Sequence, residues 1–202
     1  MLNKQLWEEA WNEYAKDVDL STLRVSGIVT KKYPDKEDAN FWAEKGPEWV
    51  QSYIDWRTVN SNWKIWKTPQ GVPAIELGIV PKFAGVPVKM VIDRIFDVDG
   101  TLVVVDLKTS KSTPTSSLQL GFYKAGIQQI FGVDIAYGNY WMARHSGTGS
   151  MVDLSKYTDE HISYFVEKFD KARKAGVFLP NTNNCNRCGL TEHCPFTSKK
   201  EK

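Results

Sequence analysis

Three residues in one short stretch carry the types and spacing needed for phosphate chemistry. The sequence from Val91 to Lys108 reads Val-Ile-Asp-Arg-Ile-Phe-Asp-Val-Asp-Gly-Thr-Leu-Val-Val-Val-Asp-Leu-Lys. Asp99-Gly100 is a strong signal for a two-residue hairpin turn. With that turn, Val98 pairs with Thr101, and counting outward sets Asp93 opposite Asp106. Cross-strand partners have Cβ atoms about 4.5–5.5 Å apart. Lys108 lies two residues beyond Asp106 and so points to the same face.

Two carboxylates directly opposed on a sheet repel each other. A divalent cation held by both offsets that repulsion, and hard oxygen ligands suit Mg²⁺ or Mn²⁺. Such a metal lowers the pKa of a bound water and stabilises charge on a phosphate. Lys108 then orients the water or neutralises charge as it develops. The bland alternative is a solvated hairpin face. Ile95 and Val104 argue against it, because the count pairs them on the aspartates' own face, which is therefore partly covered.

The elements that must position these groups follow from periodicity. Residues 4–17 read as a helix with Leu6, Trp7, Ala10, Trp11 and Tyr14 on one face. Residues 21–37 give no clear signal and contain Pro34. Residues 38–57 are helical in period, with Phe41, Trp42, Trp49, Tyr53 and Trp56, but Gly46 and Pro47 predict a break into two short helices. Residues 62–68, 73–80, 86–97 and 101–108 read as consecutive strands. A loop at 111–117 ends in good helix caps, followed by a helix over 117–131. A strand over 134–143 and a helix over 159–175 complete the pattern. The order implies an α/β domain, a central mixed sheet flanked by helices, with a C-terminal cysteine knuckle. We divide the chain into a helical region over 1–60, a core over 61–178, and a cysteine-rich segment with a basic tail over 179–202.

The sequence of 202 residues fits one domain with a small appendage, and eight Trp, eight Tyr and nine Phe can fill a substantial core. A net charge of +2 excludes a nonspecific polycation but not a local basic patch. No apolar run approaches the roughly 20 residues of a membrane span. The N-terminus leads into an amphipathic segment and not a signal-peptide core. A soluble, cytoplasmic protein is expected.

All three cysteines fall in Cys185-x2-Cys188-x5-Cys194. Clustered thiols of odd number point to metal and not to a disulfide framework. His193 could join them on zinc, and vestigial thiols are the alternative.

At these residues the chain resembles the PD-(D/E)XK nucleases, most closely the RecB-type branch that includes the CRISPR-adaptation nucleases and many phage exonucleases. The matching pieces are Ile92-Asp93-Arg94, Val105-Asp106-Leu107-Lys108-Thr109 and Gln119-Leu120-Gly121-Phe122-Tyr123. The resemblance implies a restriction-endonuclease-like core, metal binding by Asp93 and Asp106, and catalysis by Lys108. It also implies that Gln119 and Tyr123, four apart on one helix face, work beside the site. The family often supplies a further ligand, His or Glu, from an early helix. His145, His161 and His193 all come too late. Glu48 is the candidate, Glu44 the reserve, and Glu76 a third possibility because it interrupts an apolar run. The resemblance further implies an iron–sulfur cluster at Cys185, Cys188 and Cys194, though the family's fourth, N-terminal cysteine is missing here.

Phosphate contacts are expected from Ser110, Lys111 and Lys124, and base stacking from Trp63, Trp66 or Tyr123. The expected activity is Mg²⁺- or Mn²⁺-dependent hydrolysis of single- or double-stranded DNA, exonucleolytic, in recombination, repair or phage DNA processing. The alternative is a noncatalytic module that binds nucleic acid or a partner in a recombination complex. A homo-oligomer or a recombination-protein partner fits either.

Overall fold

The computed structural model describes residues 2–17, 37–178, 180–181, 185, 188–190 and 193–197. Residues 21–36, which gave no clear sequence signal, lie outside them. Helices α1 (Leu2–Ala15) and α2 (Ala39–Val59) lead into strands β1 (Trp63–Ile65), β2 (Ile75–Ile79), β3 (Lys82–Phe83), β4 (Val86–Pro87), β5 (Met90–Val98) and β6 (Thr101–Lys108). Helix α3 (Leu118–Phe131), strands β7 (Tyr137–Met142), β8 (Gly147–Thr148) and β9 (Val152–Asp153), and helix α4 (Asp159–Lys174) follow.

Among the described residues, seven strands form one mixed sheet in the order β1-β5-β6-β7-β8, with β2 also pairing β5 and β9 pairing β7. The β5–β6 pair is antiparallel and the β6–β7 pair parallel, so α3 is the crossover between parallel strands. Alternation along β6 builds two cores. Val104 packs with Ile95, Leu120, Tyr123 and Ile127 toward α3, while Val103 and Val105 pack with Phe96, Trp56, Trp63 and Trp141 toward α2. The result is a sheet covered by helices on both faces, as the sequence predicted. Among the described residues no helix is long and apolar enough to cross a membrane.

Two expectations are corrected. Residues 38–57 are one helix and not two, running through Pro47. An internal proline costs about 3 kcal/mol. That cost is offset by the face carrying Trp49, Tyr53 and Trp56, which is docked on the sheet. Asp38 caps the start, accepting from the Phe41 amide at 2.9 Å. The strand expected over 86–97 is also divided: Val86–Pro87 pairs with Lys82–Phe83 in a separate ribbon, and the sheet strand begins at Met90. Ser117 precedes α3 without capping it through its side chain. Its Oγ instead meets Tyr157 Oη at 2.8 Å.

Candidate active site at the end of the hairpin

The turn has φ of 52° at Asp99 and 87° at Gly100, the left-handed pair that a tight hairpin requires. Val98 pairs with Thr101 and Ile95 with Val104, the register counted from the sequence. Ile95 and Val104 are both fully buried. The paired residues run as far as Arg94–Val105. One step beyond, the Asp93 carboxylate takes over: Oδ2 accepts from the Leu107 amide at 2.8 Å.

The pleat of β5 slips at this point. Met90, Ile92 and Ile95 all enter the same core, although strict alternation would send Ile95 to the opposite face from the other two. The neighbouring strand slips with it, since Ala74, Leu77 and Ile79 share that core as well. Glu76, between them, has a left-handed φ of 46°. Asp93 therefore sits where two adjacent strands lose their regular pleat, an arrangement that re-aims side chains near functional sites.

Asp106 is only 1% exposed. Its Oδ1 accepts from Gln119 Nε2 at 2.9 Å. Lys108 Nζ lies 2.5 Å from Oδ2. The Lys108 ammonium is thus the charged partner of buried Oδ2. Burial pushes the Asp106 carboxyl above its ordinary range, and the charge of Asp93 adds to this; Lys108 and Tyr123 pull the other way.

Gln119 ties the constellation together from the first turn of α3. Its Nε2 also donates to Tyr123 Oη at 2.8 Å, and its Oε1 accepts from Lys108 Nζ at 3.2 Å. Tyr123 is pushed up to about 12 by burial first, with Asp106 and Asp93 adding to it. It is held as a neutral phenol. The α3 start is fixed from behind. Tyr140 Oη donates to the Ser116 carbonyl at 3.0 Å, and Tyr157 meets Ser117.

Asp106 Oδ2 is the atom that fits a cation: a desolvated anionic oxygen that the Lys108 ammonium already faces. Asp93 supplies a second carboxylate beside it. The candidate third ligands are engaged in ion pairs of their own. Glu48 is held by Lys45 at 3.1 Å and is well exposed, and Glu44 also pairs with Lys45. Glu76 is exposed and pairs with Arg94 at 3.2 Å, so it is not the inward-facing carboxylate that its place in an apolar run suggested. Among the described residues no three His, Cys, Asp or Glu side chains are grouped to hold an ion. Cys185, Cys188, Cys194 and His193 are among these residues, and the three thiols range from buried to exposed and form no disulfide.

The expected phosphate and base contacts are mostly committed within the protein. Lys124 is buried, paired with Asp134 and donating to the Ile135 carbonyl at 3.2 Å. Helix α3 presents it to the core side, because its neighbours Tyr123, Ala125, Gly126 and Ile127 are buried too. Lys111 pairs with Glu37 at 3.2 Å, and Ser110 Oγ donates to the Ser112 carbonyl at 2.9 Å. Trp63 is in the core against Trp56 and Phe96, and Trp66 packs on Phe131. Tyr123 is buried beside Asp106, which leaves no ring face for stacking.

Sequence reasoning missed a second charged cluster. Glu37, buried, accepts from Arg144 Nη2 at 2.8 Å, and Arg144 Nε donates to the Thr109 carbonyl at 2.8 Å. The guanidinium also lies over the Trp49 ring, 5.1 Å from its centre. This clamps the chain immediately after Lys108. Glu37 and Arg144 are 107 residues apart in sequence, and no local pattern links them.

Comparison with known proteins agrees with this geometry. The family model for the PD-(D/E)XK nuclease superfamily matches residues 2–195. The chain is 30% identical over 204 residues to the Gene 69 protein of Mycobacterium phage D29, covering 90% of this chain and 71% of that protein. It is 28% identical over 213 residues to the Gene 69 protein of Mycobacterium phage L5, covering 91% and 73% respectively.

Proposed function

The chain belongs to the PD-(D/E)XK nuclease superfamily, and from that premise we propose that it is a DNA nuclease that hydrolyses phosphodiester bonds with Mg²⁺ or Mn²⁺ at Asp93, Asp106 and Lys108. One observation carries the reading: Asp106 is almost fully buried, with Gln119 on Oδ1 and the Lys108 ammonium 2.5 Å from Oδ2, and the charge of Asp93 acts on it as well. A buried carboxylate that feels a second carboxylate costs stability. A site that binds a divalent cation between them recovers that cost.

Asp93 and Asp106 would hold the metal, which lowers the pKa of a bound water and neutralises charge on the phosphate. Lys108 stands against Asp106 and offers its ammonium to the same phosphate oxygens or to the attacking water. Gln119 keeps Asp106 and Lys108 in mutual register through its two ends. Tyr123, neutral at physiological pH, adds a hydroxyl to the Asp106 side of the network. The exonucleolytic mode and a role in recombination, repair or phage DNA processing rest on the RecB-type order of Asp93, Asp106-x-Lys108 and Gln119-x3-Tyr123.

The test is digestion of end-labelled single- and double-stranded DNA with Mn²⁺, beside EDTA and Asp106→Ala. Ladders shortening from one end, lost with EDTA and in the variant, are expected. Undiminished cleavage by Asp106→Ala would sink the site assignment.

A further inference from the structure

Lys108 is held at its ammonium by Asp106 and Gln119. Its backbone needs a separate anchor, because β6 ends at Lys108 and an irregular stretch follows as far as α3. The neighbouring strand supplies it. The parallel register sets Lys108 beside Met142, the last residue of β7. Two residues on, Arg144 comes level with the chain that leaves Lys108. Its Nε donates to the Thr109 carbonyl at 2.8 Å, and its Nη2 donates to Glu37 Oε1 at 2.8 Å. The same Glu37 oxygen pairs with Lys111 Nζ at 3.2 Å. One buried carboxylate thus gathers a cation from each strand extension, and the chain is fixed at both Thr109 and Lys111.

The Arg144 side chain is only 15% exposed. Its guanidinium carbon lies 5.1 Å from the centre of the Trp49 ring and 5.7 Å from that of Phe41, and the ring faces attract its charge. The short turn that carries it is tied to α2 as well, where Ser146 Oγ donates to Ser52 Oγ at 3.1 Å. A planar fork that bonds two acceptors and stacks on rings is a fixed part of the fold, and not a free hand for phosphate. Trp49 and Phe41 belong to α2, whereas Gln119 and Tyr123 belong to α3 on the other face of the sheet. Arg144 therefore acts on Lys108 through the backbone.

We infer that Arg144, with Glu37, is a positioning residue for the cleavage reaction: it sets the backbone of Lys108 from the α2 side and so aims the ammonium, without contacting DNA itself. This rests on the nuclease reading of Lys108. Misplacing a reacting group by about 1 Å can cost on the order of 10²-fold in rate.

Removing one partner of a buried ion pair strongly destabilises a fold, so the variant of choice is Arg144→Lys. It keeps the charge against Glu37 but offers one nitrogen, which cannot occupy both the Nε and the Nη2 positions. Glu37→Gln is the second variant. It neutralises the partner of the same guanidinium and keeps an oxygen that accepts from it. Full-length parent and variants are compared in Mn²⁺-dependent cleavage of end-labelled DNA, in DNA affinity in EDTA against salt concentration, and in thermal melts. Rates are taken where the melts show folded protein. For Arg144→Lys the expected kcat is about 10–100-fold lower, with KM and the Mn²⁺ concentration for half-maximal rate within about twofold of the parent and the salt slope unchanged. Glu37→Gln gives the same split with a smaller loss, and decides the matter if Arg144→Lys does not fold. A kcat within about twofold of an active parent in every folded variant overturns the positioning role and leaves the nuclease reading standing. A raised KM with a salt slope reduced by about one makes Arg144 a phosphate contact, which overturns it too. A parent that cuts no DNA overturns both this assignment and the reading it rests on.

Discussion

Gln119, in the first turn of α3, donates from Nε2 to Asp106 Oδ1 at 2.9 Å and so locks the crossover helix to the strand that carries the buried carboxylate. Its other end takes Lys108 Nζ at 3.2 Å. One amide therefore sets the relative position of two groups that are otherwise joined by a single ion pair.

Gln119→Ala removes both ties and leaves Asp106 more weakly held. Loss of a group that orients metal ligands typically costs about 10–100-fold in metal affinity or activity. We expect a fall of that order in the Mn²⁺-dependent cleavage rate, with the circular dichroism spectrum unchanged. A rate within twofold of the parent would show that Asp106 and Lys108 are positioned without it.

Asp106→Asn is expected to inactivate the protein and to stabilise it when no metal is present. Burial raises the folded-state pKa of Asp106 above its unfolded value. The folded form thus holds the proton more tightly. Stability from this group is full below the unfolded carboxylate pKa and is lost as pH rises through the folded one. At pH 7 the charged group is a burden that the amide lacks. A gain of about 1 kcal/mol raises the melting temperature by roughly 2–4 °C in a chain of this size. Thermal melts in EDTA should show the gain at pH 7 and its loss near pH 3. A lower melting temperature at pH 7 would mean that the Lys108 pair outweighs desolvation.

Gly121→Ala tests how the α3 start is held. A Cβ at Gly121 would overlap the Tyr157 ring, and Tyr157 is bonded to Ser117 just before the helix. Overpacking of this kind costs about 1–3 kcal/mol. A melting temperature lowered by several degrees is expected, with reduced cleavage because Gln119 moves with the helix. Full activity and an unchanged melt would refute the link.

Lys124→Ala separates structural from DNA-contacting lysines. Lys124 is spent on Asp134 and the Ile135 carbonyl. Its loss is expected to destabilise the fold by about 1–3 kcal/mol. The slope of log affinity for DNA against log salt should stay the same, because no phosphate contact is lost. A slope reduced by about one would return Lys124 to the DNA interface.

Much of the site was legible because it is local. The Asp99-Gly100 turn fixes the register of a two-strand ladder, and a period of two then fixes faces. Asp106 and Lys108 with the covered pair Ile95 and Val104 follow from counting alone. Gln119 and Tyr123 share a face by helical spacing. The strand misread at Val86–Pro87 and the break expected at Pro47 failed for one reason: local residue types signalled boundaries that packing moved or overrode.

What the sequence by itself determined is the hairpin, its register and the residue types that can bind a cation and a phosphate. Tertiary structure alone decided which of those types are available. It turned Lys124 inward, paired Glu48 with Lys45 and Glu76 with Arg94, and set the Lys108 ammonium against the buried Asp106 Oδ2. It also brought Tyr140 level with Asp106 across a parallel pair, and Trp7 against Gly46 beside Lys108. The reason is physical. Antiparallel neighbours joined by a two-residue turn leave the chain little freedom, so sequence counting suffices. Parallel pairing and helix docking close long loops, and their geometry is set by the packing of whole surfaces and not by the spacing of any one segment.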